Sequence, residues 1–144
     1  MSALDPWALT ERVLAVVARG DPAGLEPLLL SAETGADDLA ATLPRSPDER
    51  AWARDRLAEN LPALREAPRA ALEGLLADSA RRGFDWAAAR ASVAALEVEV
   101  EDEGLRSALV RADAAHGEAR AQLLVSAVWT RRGWHVMQLA AAWA

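Results

Sequence analysis

The 144-residue chain contains no cysteine, no lysine, no tyrosine and no isoleucine, and it has only two histidines, His116 and His135. Without cysteine there is no disulfide, thiolate zinc site, iron–sulfur cluster or cysteine nucleophile. Two histidines leave little for a histidine metal site, so neither a metal nor a cofactor is expected. All 16 basic residues are arginine and about a quarter of the chain is alanine, a bias of GC-rich coding as much as of chemistry. The 22 acidic residues bring the net charge to −6, which argues against nucleic-acid binding. No apolar run approaches the roughly 20 residues of a membrane span, and the N-terminus lacks the basic-then-apolar order of a signal peptide. A cytoplasmic bacterial protein without a membrane partner is the expectation. Glycines stand singly, so there is no phosphate loop or dinucleotide fingerprint, and no nucleophile elbow frames a serine.

What is present fits one globular domain over residues 1–144, with 52% hydrophobic and 26% charged residues. Residues 1–90 read as a helical layer. Asp5-Pro6 is an N-cap followed by proline at the first helical position, Leu9, Val13, Val16 and Val17 share one face, and Gly20 is the stop. Asp21-Pro22 repeats the start for a shorter helix carrying Leu25, Leu28 and Leu29. Leu39 and Leu43 suggest another short helix within residues 32–44. Ser46-Pro47-Asp48-Glu49 has the capping-box pattern. That helix is expected to end or bend near Pro62, and Pro68 to open a further one ending at Gly83. Trp7, Trp52 and Trp86 read as core residues, Asp85 as a cap, and His116 as a structural turn residue.

From residue 91 the period becomes two. Val93–Val100, Leu105–Ala114, Glu118–Thr130 and Trp134–Trp143 read as four antiparallel strands. Asp102-Glu103-Gly104 and Arg131-Arg132-Gly133 suit three-residue hairpin loops, and His116-Gly117 a two-residue one. These loops place Ala94, Leu96, Val98 and Val100 on one apolar face with Val110, Val125, Trp129, His135, Met137 and Leu139. They set Asp113 opposite Arg120 on the polar face, an opposite-charge pair. The expected fold class is α+β, with N-terminal helices packed on a curved four-stranded antiparallel sheet.

Two stretches carry a resemblance to a known family. Arg19-Gly20-Asp21-Pro22-Ala23-Gly24-Leu25 resembles the helix, Gly-Asp turn, helix entry of the nuclear transport factor 2-like (SnoaL-like) superfamily, and Arg132-Gly133-Trp134-His135-Val136 resembles its closing hairpin. The helical reading of residues 32–67 departs from that superfamily's usual short hairpin. The resemblance implies a cone-shaped fold, often hollowed for a ligand. Some members are steroid isomerases, dehydratases or polyketide cyclases, and many are binding or dimerising domains. The lack of tyrosine excludes an isomerase-type tyrosine oxyanion site. No position matches an active-site motif, so no catalytic residue is carried over.

On the deduced apolar face, Arg106 falls beside Ala127 and Trp129 beside His135, with Asp102 entering the nearby turn. An arginine, an indole and an imidazole at the open end of an apolar cone suit a small apolar or carboxylate-bearing ligand. In the blander reading, Arg106 snorkels at the sheet edge and His135 is a hydrogen-bonded rim residue. His135 with Asp102 is the alternative catalytic pair. On the other face Leu109, Leu124, Val128, Trp134 and Val136 form an apolar strip larger than a solvated sheet needs, and the resemblance implies that this face makes a homodimer. Glu97, Glu99 and Glu101, continued by Asp102 and Glu103, read as an acidic, aggregation-resistant edge. The leading expectation is a non-catalytic small-ligand-binding or dimerising domain. The alternatives are a cyclase-, dehydratase- or isomerase-like enzyme using His135, and an acidic immunity-type domain that meets a basic partner through Glu97–Glu103.

Overall fold

The computed structural model describes residues 5–102 and 104–144. Helix α1 (Pro6–Arg19) starts where the Asp5 carboxylate accepts the Ala8 N–H at 2.7 Å, and it stops at Gly20, whose φ of 64° lets its N–H reach the Val16 and Val17 carbonyls. Its buried stripe is Leu9, Val13, Val16 and Val17, as expected. The Asp21 cap is also formed, but the segment it opens, Pro22–Leu28, is a 3-10 helix with Pro27 inside it. Helix α2 (Gly35–Ala40) is the short helix around Leu39.

The largest departure in the helical layer is α3. One helix runs from Pro47 to Arg82 through both Pro62 and Pro68, where a break and a restart are expected. An internal proline removes a backbone hydrogen bond and costs about 3 kcal/mol. Tertiary contacts on either side outweigh that cost. Arg65 donates to the Leu30 carbonyl and to Glu26, Arg69 donates to the same glutamate, and Leu61, Leu72 and Leu75 are buried. Ser46 caps the start and Gly83, at φ 69°, ends the helix. Trp52, expected in the core, is 65% exposed on the outer turn of α3, with the Arg56 guanidinium 5.3 Å from its ring. Trp7 is also exposed. Only Trp86 of the three is buried, its indole N–H donating to Ser79 Oγ at 2.7 Å. Asp85 caps a turn rather than a helix, and its N–H donates to His116 Nδ1 at 3.3 Å.

Strands β1 (Arg90–Asp102), β2 (Leu105–His116), β3 (Ala119–Thr130) and β4 (Gly133–Trp143) form one open antiparallel sheet in sequence order. All three turns are one residue off the expected loops, with different consequences. Between β2 and β3 the turn is Gly117-Glu118, so Ala115 faces Arg120 and Asp113 faces Gln122. The expected Asp113–Arg120 pair is therefore absent. The ladder has slipped by two, an even number, and every side chain keeps its face.

The other two ladders slip by one and carry bulges. Between β1 and β2, Asp102 pairs with Leu105, and the expected loop residue Glu103 lies outside the described residues. Leu96 still pairs with Val110, but a bulge at Glu97 puts Val98 opposite Leu109. Val98 and Val100 leave the core face and are 47% and 45% exposed. Between β3 and β4, Arg131-Arg132 alone make the turn, which sets Trp129 opposite Trp134, Val128 opposite His135 and Ala127 opposite Val136. A register shift at Met137 restores the expected pairing from Ser126–Gln138 onward. Such bulges bend and twist a strand, and on β1 they join Glu97, Glu99 and Glu101 in blunting an open sheet edge.

Helix α1 and the later part of α3 cover one face of this sheet. Leu9, Val13, Leu25, Leu72, Leu123 and Val125 are buried together there, so side chains fill the space that a hollow cone would leave. A second cluster joins Leu30, Leu39 and Leu61 to Val128, with Leu57 and Met137 against it. No helix among the described residues is long and apolar enough to cross a membrane.

Gly104 sits at φ 85° with an added Cβ placed 2.4 Å from Pro44 Cδ and from the Thr42 carbonyl, whereas Gly117, at φ 62°, has open space. Gly117→Ala is expected to cost about 1–2 kcal/mol of stability for the left-handed backbone. Gly104→Ala must cost more, because the β1–β2 turn also loses its seat on residues 42–44. Urea denaturation of the two variants checks the order.

Candidate functional site

The residues that converge most closely belong to α2 and the β3–β4 hairpin. Asp38 is 2% exposed, an unusual place for a carboxylate unless it is paired. Thr34, one helical turn earlier, donates its hydroxyl to Asp38 at 2.9 Å. From across the chain Arg131 Nε reaches the same carboxylate at 3.2 Å and Arg132 Nε at 2.9 Å. Burial pushes the Asp38 carboxyl up, but the hydrogen bonds from Arg132, Thr34 and Arg131 outweigh burial and hold it below its ordinary value. Thr130, itself fully buried, closes the turn. Its hydroxyl accepts the Arg132 N–H at 3.1 Å and donates to the Gly133 carbonyl at 3.3 Å.

His135 stands beside this knot. Its Nε2 lies 3.2 Å from Thr130 Oγ1. Its other ring nitrogen, Nδ1, is buried without a hydrogen-bond partner among the described residues. Burial lowers the His135 pKa. The Leu29 carbonyl and the Asp38 carboxylate favour the protonated ring and offset this only in part, while Arg132 adds to the lowering. The ring opens on a recess of about 320 Å³, walled by Pro27, Leu29 and Ala32 on its apolar side and by Arg65, Arg132, Asp38, Glu26 and Glu33 on its polar side. A neutral imidazole, cationic groups and a small apolar wall suit recognition of a compact ligand. They do not make an acid–base pair, because the Asp38 carboxylate is spent on Thr34 and the two arginines.

The expected ligand trio is split. Arg106 and Trp129 do meet, with the guanidinium 5.2 Å from the Trp129 ring, but the third member is Trp134, at 5.5 Å, and not His135. The one-residue slip at the Arg131-Arg132 turn exchanges the two neighbours. Arg106 is further occupied by Glu99 at 3.5 Å. Asp102, the alternative catalytic partner of His135, lies on β1, three strands away from β4. On the outer face Leu109 and Leu124 are half-buried. Val128 and Val136, expected beside them, are buried inside the chain, Val136 to 1% exposure, and Trp134 has turned to the opposite face. The exposed apolar strip consists instead of Val98, Val100 and Leu105 with Leu109 and Leu124. The acidic row is partly neutralised within the sheet, since Glu97 pairs with Arg111 at 2.7 Å and Glu99 with Arg106.

Asp38, Thr130 and Arg132 form no part of the expected site. Residues 32–44 have weak periodicity, and the one available signal was the Thr34–Asp38 spacing of four on a short helix.

No protein-family model matches the chain, and no curated protein matches its sequence. Among solved structures it is similar to a nuclear transport factor 2-like protein of unknown function from Silicibacter pomeroyi, with 11% identity, 95% of this chain and 91% of that chain covered, and a TM-score of 0.48. It is also similar to a phospholipid-binding protein from Ralstonia solanacearum solved with a phospholipid, with 16% identity, 94% and 77% coverage, and a TM-score of 0.39. The expected α+β fold, helices packed on an open antiparallel sheet, is present by this chain's own strand order and core packing.

Because folding lowers the His135 pKa, the unfolded chain binds the proton more tightly, and the stability this group contributes is present above about pH 6.5 and lost as the pH falls through the folded value. Asp38 follows the same sign in a more acidic window, below its ordinary value near 3.8. Urea midpoints measured from pH 7.5 to pH 5 are expected to decline in the wild type and to flatten in His135→Gln.

Proposed function

We propose that the chain is a non-catalytic small-ligand-binding domain that works as a homodimer, with its ligand seated in the recess at His135. The observation that carries this reading is the convergence on one small recess of a half-buried imidazole whose Nδ1 has no hydrogen-bond partner among the described residues, the Arg65 and Arg132 side chains, and the apolar wall of Pro27, Leu29 and Ala32. A compact apolar molecule with an acidic or hydrogen-bonding head matches that lining. Thermal-shift measurement against apolar carboxylates tests it. A ligand held at about 100 times its Kd stabilises the fold by about 2.7 kcal/mol. The rise in Tm is expected to vanish in Ala32→Phe, which fills the recess, and to shrink in His135→Gln. An undiminished rise in Ala32→Phe overturns the site.

The dimer rests on the outer strip of Val98, Val100, Leu105, Leu109 and Leu124, apolar surface that no helix of the same chain covers. Sedimentation at micromolar concentration is expected to give twice the chain mass of 15.4 kDa. Leu109→Glu is expected to return it to the single-chain mass with the fold intact. A wild-type mass of one chain rules the dimer out.

A further inference from the structure

The far end of the sheet, beyond both features used above, carries an arrangement of charge with no internal partner. Across β1, β2 and β3 the register places Arg90 opposite Ala115 and Ala115 opposite Arg120. The three residues form one row on the outer face, an alanine between two arginines. Neighbouring strands lie about 4.8 Å apart, so the two arginine Cα atoms are about 9.6 Å apart. Long side chains from both ends of the row can converge above the alanine methyl, where a larger residue would fill the gap.

The charges of these two arginines are unanswered, unlike those of the other arginines on the sheet. Arg106 is paired with Glu99, Arg111 with Glu97 and Asp113, and Arg131 and Arg132 with Asp38. Arg90 has no ion pair or side-chain hydrogen bond among the described residues. Arg120 is bonded only to the backbone carbonyls of Gly117 and Ala119, at 3.0 and 3.1 Å, which orient the guanidinium without neutralising it. Both arginines line a recess of about 580 Å³, within the range of small-ligand sites. Ser92 and Gln122 line it as well and add donors. The Asp113 carboxylate there is held by Arg111 at 3.2 Å. Ala115 and Ala142 form the apolar floor of the recess, while the Trp143 ring lies on the opposite, helix-covered face, edge-on to Phe84 at 5.4 Å.

In a chain of net charge −6, two guanidiniums without an ion pair among the described residues, above a floor of alanines, make a local site of opposite sign. We infer that this recess binds an oxyanion, a phosphate or carboxylate, with Arg90 and Arg120 clamping it over the alanine floor. Guanidinium forks bind such heads bidentately, and charged hydrogen bonds are the strong ones.

The test is a titration of the isotope-labelled full chain, followed by amide resonances, with phenyl phosphate, benzoate and inorganic phosphate at constant ionic strength. Saturable shifts are expected at the amides of Ser92, Ala115 and Gln122. A preference for phenyl phosphate over benzoate, or the reverse, supports the site and identifies its head group. Arg90→Ala and Arg120→Ala are each expected to weaken binding about tenfold or more, as loss of a charged hydrogen bond does. Arg120→Lys, which keeps the charge but loses the fork, is expected to weaken it as well, and it serves as the test should the alanine variant misfold. Arg12→Ala, an exposed arginine on α1, controls for general charge. Absence of saturation at these amides, or equal losses in Arg12→Ala and Arg90→Ala, overturns the proposal. Because none of its residues lines the His135 recess, failure here leaves that reading standing, and failure there leaves this one.

Discussion

The Asp38 carboxylate fixes more of this molecule than any other polar group. It is buried on a helix of only six residues, too short to persist alone, and it draws Arg131 and Arg132 across from the β3–β4 hairpin. Both arginines occupy the two-residue turn, and Thr130 supplies the hydrogen bonds that close it. With that turn set, Trp134 must face Trp129, and His135 must leave the core face for the recess under the 3-10 helix. A single buried charge thus holds α2 against the sheet and determines which aromatic side chain enters which environment.

The sheet shows how strongly function depends on the parity of a strand slip. An error of two residues at the Gly117 turn moved no side chain to a different face. A slip of one at each of the other hairpins exchanged partners near the loop; a bulge restored the β3–β4 ladder farther along, while on β1 a second bulge before Ala95 shifts the pairing again. Mid-strand faces are specified by burial and are robust, whereas hairpin ends are specified by turn chemistry and tertiary anchors. The alanine-rich strands let the helices pack close over the sheet.

Charge is distributed with a similar logic. The sheet's acidic edge is answered in part by Arg106 and Arg111, and the buried carboxylate by Arg131 and Arg132. Glu26 of the 3-10 helix holds Arg65 and Arg69, which flank Pro68 on α3, and these contacts keep the helix continuous where local propensity would end it. Against that background the uncompensated pair at Arg90 and Arg120 stands out as free to act on something outside the chain.

The sequence by itself determined the helix starts at Asp5 and Ser46, the stops at Gly20 and Gly83, the order of helices before strands, the four-stranded meander and the apolar face of its central strands. Those features are local: a cap bonds within one turn, a glycine frees one dihedral, and alternation is read over a few residues. Tertiary structure decided what depends on residues distant in the chain. It carried α3 through two prolines, exposed Trp52, put Trp134 in the place expected for His135, and gave His135 Asp38 for a neighbour instead of Asp102. Asp38 and Arg132 are 94 residues apart, and no periodicity or turn rule couples positions at that distance. Only the packing of α2 against the hairpin brings them together, and the geometry of the site follows from that contact.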